Sequence, residues 1–320
     1  MKGWTGPEGN SFTAAGPGGE GHRLKSKCQS SNDKDSNNGR MGRNNLNDPD
    51  ELREHIVNML HENGRNQPIF PGGIIGDRRA SSVLVLMGCY CFPTRGDESE
   101  TCLLFNKRSD RVKQPGDLCF PGGRIAPLVD FWFSKMLGLP FFPLYRWRFW
   151  KQWRTLRQQE ARQLAVLLAA ALREGFEEMR LNPFGVRFLG FMCPEALPMF
   201  GRVLYPMVGW MTGQRQFSPN WEVEKVIHIP LREFLEPGRY ACYRVHFETG
   251  HRGLAHGVEK EFMCFIHESD DGREVLWGVT FEIVISFLEA VFGFRPPDKE
   301  SLPVIYGTKD ERYLNGAVAA

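Results

Sequence analysis

Glu174, Glu177 and Glu178 place three carboxylates within five residues of a helix-forming run, Leu172-Arg173-Glu174-Gly175-Phe176-Glu177-Glu178. Residues three and four apart share a helix face, so the acids cluster. Leu168, Leu172, Phe176 and Met179 form an opposed apolar stripe that can dock the helix on a core. Carboxylates held this closely repel one another unless a cation lies among them. Hard divalent ions such as Mg2+ or Mn2+ take oxygen ligands of this kind, with phosphate oxygens completing the shell. For this stretch alone, a solvated acidic face is the competing reading.

Upstream, Phe120-Pro121-Gly122-Gly123 reads as a tight glycine turn after a strand-like run, and glycine lets backbone approach a ligand closely. Before it stand Leu104-Phe105-Asn106-Lys107-Arg108-Ser109 and then Gln114-Pro115-Gly116-Asp117-Leu118-Cys119. Taken in order, these motifs resemble the signature of the Nudix hydrolases, a glycine followed at a distance by R-E-U-x-E-E with U apolar. The upstream part resembles the extra signature of the coenzyme A diphosphatase branch. The resemblance runs roughly from Arg79 to Gly293.

The resemblance implies an α/β/α sandwich with a mixed β-sheet and a loop-helix-loop catalytic motif. It also implies metal-dependent hydrolysis of a diphosphate bond in a small nucleotide-linked molecule. The branch motif points to coenzyme A or acyl-CoA, giving (acyl-)4′-phosphopantetheine and 3′,5′-ADP. Glu174, Glu177 and Glu178 would then hold Mg2+ or Mn2+, with Glu174 and Glu177 also taking catalytic roles. Arg173 would orient Glu174 through a charge-assisted hydrogen bond. Arg108, Arg111, Gly122 and Gly123 would meet the substrate, arginine because its planar fork suits phosphate. A dinucleotide or nucleotide-sugar hydrolase is one alternative, and a non-catalytic module that binds nucleotide or membrane is another.

Three departures bear on these roles. Gly123 and Arg173 lie fifty positions apart (173 − 123), about 36 more than in the family pattern. The first glutamate of the pattern would fall on Val129, which leaves its task to Asp130 beside it or to Glu160 beyond the insertion. The glycine that ends the helix is replaced by Arg180, and Asn182 before Pro183 is the expected left-handed residue.

The remaining elements must position these groups. Ser81–Phe92 is β-rich and Thr101–Lys107 reads as its partner in a hairpin, Thr155–Leu181 reads as one long helix, and Phe184–Met192, Arg202–Met211 and Asn220–Pro230 read as strands. Asp48–Asn63 and a segment ending near Phe292 read as helices. Glu222 and Glu224 are accessory ligand or base candidates, whereas His228 alternates within a strand. The content of 42% hydrophobic residues supports one folded domain over 48–296, flanked by a polar, disordered tail at 1–47 and a C-terminal tail at 297–320. A net charge of +2 gives no case for a nucleic-acid partner, and the eight scattered cysteines lack zinc-finger spacing. With no signal peptide read at the N-terminus, the expected location is cytoplasmic. The insertion at 128–154 holds ten aromatic residues and five cations against one acid, Asp130. It reads either as a peripheral membrane contact or as a cap or homodimer contact.

Overall fold

The computed structural model describes residue 46 and residues 48–65, 79–92, 99–197, 201–248, 258–269, 272–310 and 313. All belong to one compact unit, residues 34–320. Apart from Leu46, the expected N-terminal tail lies outside the described residues.

Strand β1 (Ala80–Cys91) is apolar on both faces, so it can only be stable at the centre of a covered sheet. Val83, Val85 and Met87 enter one core, and Leu84 and Leu86 enter the other. β2 (Ser99–Arg108) pairs antiparallel with β1, Leu86 opposite Leu104, as the hairpin reading requires. On the other side β7 (Arg202–Met211) runs parallel to β1, followed by antiparallel β5 (Val186–Phe191). The short strands β3 (Leu118–Cys119) and β4 (Gly122–Arg124) pair with β2 and β1. β6 (Glu195–Leu197) pairs with β7, and β8 (Val223–Pro230) pairs with β2.

Helix α5 (Gln158–Met179) covers the Leu84/Leu86 face. Helices α1 (Pro49–Arg65) and α6 (Gly278–Phe292) cover the Val83/Val85 face. The result is the expected α/β/α sandwich around a mixed sheet. A second sheet, in the order β11 (Gly272–Trp277), β10 (Val258–Ser269), β9 (Tyr240–Phe247) and β12 (Val304–Lys309), packs against α6.

The insertion folds as α2 (Pro127–Leu137), α3 (Pro143–Arg146) and α4 (Trp150–Leu156). Leu137, Leu144, Trp147, Trp150 and Trp153 are buried in the core beneath α5. The long helix expected from Thr155 begins instead at Gln158, because Arg157 has non-helical backbone (φ −133°, ψ 54°).

Three expectations change. The two glycines of the FPGG segment lie in strand β4, and neither has positive φ. Its glycines are needed for space: a Cβ on Gly122 would lie 2.4 Å from the Ser82 carbonyl oxygen, and one on Gly123 would lie within the Glu174 carboxylate. The C-terminal stretch read as a tail carries β12, which pairs in parallel with β9. Gly307 obscures that strand in the sequence, yet it is what admits the Tyr243 ring, whose phenolic oxygen a Cβ would strike. Finally, Arg180 itself takes the left-handed position after α5 (φ 56°, ψ 35°), and its N–H caps the helix. Asn182 instead caps the next turn through Phe184 N–H.

Left-handed backbone costs a residue with a Cβ about 1 kcal/mol, a cost glycine avoids. Arg180→Gly should therefore raise the thermal unfolding midpoint by a few degrees, even though it removes the guanidinium lying 5.0 Å over Phe176. A lowered midpoint would show that the arginine contacts outweigh the backbone strain.

Candidate active site

Arg173 is the hub of the site. Its Nε and Nη2 donate to Asp130 Oδ1 and Oδ2 at 2.8 and 3.3 Å. Nη2 also donates to the Arg124 carbonyl at 2.9 Å. Nη1 donates to Glu174 Oε1 at 3.0 Å and to Glu177 Oε2 at 3.1 Å. Burial alone would weaken the arginine's charge, but hydrogen bonding to Asp130 and the charges of Glu174, Asp130 and Glu177 outweigh it and raise its pKa. Asp130 is fully buried and also accepts from Ala126 N–H at 2.6 Å, so one side chain ties the start of α2 to the middle of α5.

Of the two acids weighed for the place of Val129, Asp130 is the one that bonds Arg173. Glu160 pairs with Arg157 at 3.1 Å in the first turn of α5. The helix rise puts it about 21 Å along the axis from Glu174, so sharing a helix face does not bring it to the site.

Glu174 lies against Gly123, and Glu178 accepts from the Gly122 backbone N–H and from Asn106 Nδ2 at 2.7 Å. Burial raises the pKa of both glutamates. For Glu174, Glu177 and Asp130 add to the rise while Arg173 opposes it. Glu178 is pushed up to about 8, first by burial and then by Glu174, with a smaller push from Glu222. The same pressure holds the Cys119 thiol protonated, pushed up to about 12 by burial and Glu178, so it is no nucleophile at neutral pH.

The arrangement brings together Arg173, Glu174, Glu178, Gly122 and Gly123, and it separates others. Glu177 is half-exposed and turned to Arg173. Phe176, expected in the buried stripe, is 46% exposed. Arg108 spends its Nε on the Lys113 carbonyl at 2.7 Å and closes the loop before β3. Arg111 is exposed on that loop, and Glu224 lies 3.7 Å from Lys107. His228 is stacked on Tyr90, with centroids 4.1 Å apart, and burial depresses its pKa to about 4.

One contributor escaped the sequence reading. Asn106 is fully buried on β2, and strand alternation gives it the same face as Leu104, toward α5. A buried asparagine in an apolar strand was the available signal. Of the two accessory candidates, Glu222 is brought near Glu178 by the 218–222 segment, where Ser218 and Asn220 N–H groups cap the Met179 and Glu178 carbonyls.

Among the described residues, no group of three or more His, Cys, Asp or Glu side chains is drawn to metal-holding distance. The donor set still fits a hard divalent cation. Glu174 and Glu178 are oxygen donors whose charged forms are disfavoured, Glu174 by burial and by Glu177 and Asp130, Glu178 by burial and by Glu174, and a cation beside them would relieve that repulsion.

Two expectations follow. The unfolded Glu178 titrates near 4.5 and the folded one near 8, so metal-free protein binds more protons when folded within that window. Its stability then falls as pH rises from 4.5 toward 8. Glu178→Gln should raise the melting temperature of metal-free protein at pH 8 and leave it unchanged at pH 4; equal effects at both would contradict the assignment. Asp130→Ala strands a mostly buried guanidinium and should cost about 3 kcal/mol in denaturant unfolding. Glu160→Ala should stay within about 1 kcal/mol; the reverse order would return the supporting role to Glu160.

No family model matches the chain. It is 31% identical over 140 residues to the peroxisomal coenzyme A diphosphatase NUDT7 of Mus musculus, an overlap of 43% of this chain and 44% of that protein. The chain thus spans less than half the length of that relative. It is 26% identical over 216 residues to the Nudix hydrolase NudL of Yersinia enterocolitica, 67% of this chain and 82% of that one. Nudix hydrolase 22 of Arabidopsis thaliana, named as chloroplastic, is 30% identical over 130 residues, 40% of each chain. A MutT/nudix family structure from Enterococcus faecalis overlaps 77% of this chain and 75% of its own at 13% identity, with a TM-score of 0.35. At that TM-score the likeness carries no argument, and the similarity rests on the ordered motifs and the sequence relatives. Over the segment that carries the ordered motifs, the chain is similar to Nudix hydrolases.

Proposed function

We propose that this protein hydrolyses a diphosphate bond in a nucleotide-linked small molecule, with coenzyme A or acyl-CoA as the substrate class. The supporting observation is the convergence of half-buried Glu174 and Glu178 on the Gly122–Gly123 strand, latched by Arg173 to Asp130. A diphosphate is anionic and repels hydroxide. A bound Mg2+ or Mn2+ would supply charge neutralisation and an acidified water. Glu174 and Glu178 would hold it, with Glu177 a further ligand or the base that takes a proton from water.

The chain's own residues set the geometry. Asn106 and Gly122 fix Glu178 from two sides, so its carboxylate cannot swing to solvent. Arg173 fixes one oxygen of Glu174 and reaches Glu177 with the same nitrogen. Gly122 and Gly123 let β4 lie directly against the β1 backbone and the Glu174 carboxylate, and Arg108 and Arg111 lie on or beside the loop that leads into these glycines. The coenzyme A reading is supported by the Leu104–Ser109 motif and by the name of the mouse relative.

Purified protein incubated with Mg2+ or Mn2+ should cleave coenzyme A or its thioesters to (acyl-)4′-phosphopantetheine and 3′,5′-ADP, identified by mass spectrometry. It should act on these faster than on dinucleotides or nucleotide sugars. Glu174→Gln and Glu178→Gln should each lose roughly 100-fold or more in kcat. Preference for a nucleotide sugar would replace the substrate class. Cleavage of nothing in the panel by folded, metal-loaded protein would leave a binding module.

A further inference from the structure

Helix α2 is inverted relative to water. Its inward edge carries Asp130, Ser134 and Leu137, all buried. Its outward edge carries Leu128 (78% exposed), Phe131, Trp132 (64%) and Met136. A helix that meets only water turns its apolar stripe inward, and a contiguous apolar patch on the outside marks a contact surface. The patch is local: of the fourteen large hydrophobic residues exposed among those described, nine fall within 128–156.

The turn after α2 extends the patch. Phe141 holds left-handed backbone (φ 73°) and presents a ring that is 78% exposed. Bulky side chains rarely accept that backbone, so the strained conformation serves to hold a ring outward at the tip. Lys135 Nζ lies 4.4 Å over Phe131 and 4.6 Å over Trp132.

Charge selects the occupant. Lys135, Arg146, Arg148, Lys151 and Arg154 are all exposed, and among the described residues Arg148 alone of these pairs with an acid, Glu54. The segment's one acid, Asp130, is buried against Arg173. A second copy of this face would set cations against cations, which disfavours a symmetric dimer. Aromatic rings rimmed by lysine and arginine match the interface of an anionic bilayer. No helix among the described residues is long and apolar enough to cross a membrane, so the contact lies in the interfacial plane.

We propose that α2 and the Leu139–Phe141 tip form a peripheral anchor that docks this protein on an anionic phospholipid bilayer. Asp130 stands between Val129 and Phe131 and bonds Arg173, which bonds Glu174. Docking therefore sets the carboxylate site beside the lipid surface. Resting on the hydrolase reading above, this favours amphiphilic acyl-CoA over free coenzyme A as the substrate met there.

The test uses full-length protein without substrate, so its outcome is independent of any hydrolase activity. Co-sedimentation is measured with vesicles of phosphatidylcholine alone and of phosphatidylcholine with phosphatidylserine. Intact protein should partition at least tenfold more onto the anionic vesicles, with a blue shift of tryptophan fluorescence. A Phe131→Ser/Trp132→Ser/Phe141→Gly variant changes exposed side chains only, so its melting temperature should hold while anionic-vesicle binding falls at least tenfold. A Lys135→Glu/Lys151→Glu variant should lose the anionic preference. Failure of intact protein to bind either vesicle would overturn the proposal, as would equal binding by the variants. A dimer in sedimentation velocity that the triple variant abolishes would assign the face to a second copy instead.

Discussion

The site depends on one buried ion pair, Arg173 with Asp130. A guanidinium that is largely withdrawn from water is costly unless its donors are used, and here they are: Asp130 and the Arg124 carbonyl fill one side, and Glu174 and Glu177 fill the other. Because Asp130 also accepts from Ala126 N–H at the start of α2, the pair joins the insertion to α5, the helix that bears the acids. Glu174 then has one oxygen committed to Arg173, and Glu178 is fixed independently from β2 by Asn106. Two acids are thereby placed at a shared point by elements far apart in sequence.

That placement stores electrostatic repulsion. Both glutamates are raised by burial and by neighbouring negative charge, the condition under which a group favours either a proton or a cation. The glycines across from them allow the approach, since side chains at 122 and 123 would collide with the β1 backbone and with Glu174 itself. The fold spends two glycines and a buried asparagine to bring like charges together, as expected of a site meant for a ligand rather than for stability.

Much of this was legible in the chain. The spacing of Glu174 and Glu178, the apolar β1/β2 hairpin and the glycine pair each carry a local signal, and their order on the chain gave both the layers and the helix that bears the acids. Other parts were illegible for physical reasons. Which acid supports Arg173 depends on how α2 folds back, and helical periodicity made Glu160 look equivalent because it reports angle and not distance along the axis. The left-handed cap at Arg180 runs against side-chain preference, so propensity pointed to Asn182. Strand β12 hides behind Gly307, whose role appears only when Tyr243 packs against it. Asn106 sits at an unspecified place in its motif, and only the long-range meeting of β2 with α5 gives it a task.

The central claim is that Glu174 and Glu178 form one cation site. Titration of Mn2+ into substrate-free protein, followed by electron paramagnetic resonance, tests it without reference to any substrate. The account predicts saturable binding by the native chain, weakened at least tenfold by Glu174→Gln and by Glu178→Gln separately. Equal Mn2+ affinity in the native chain and both variants would contradict it.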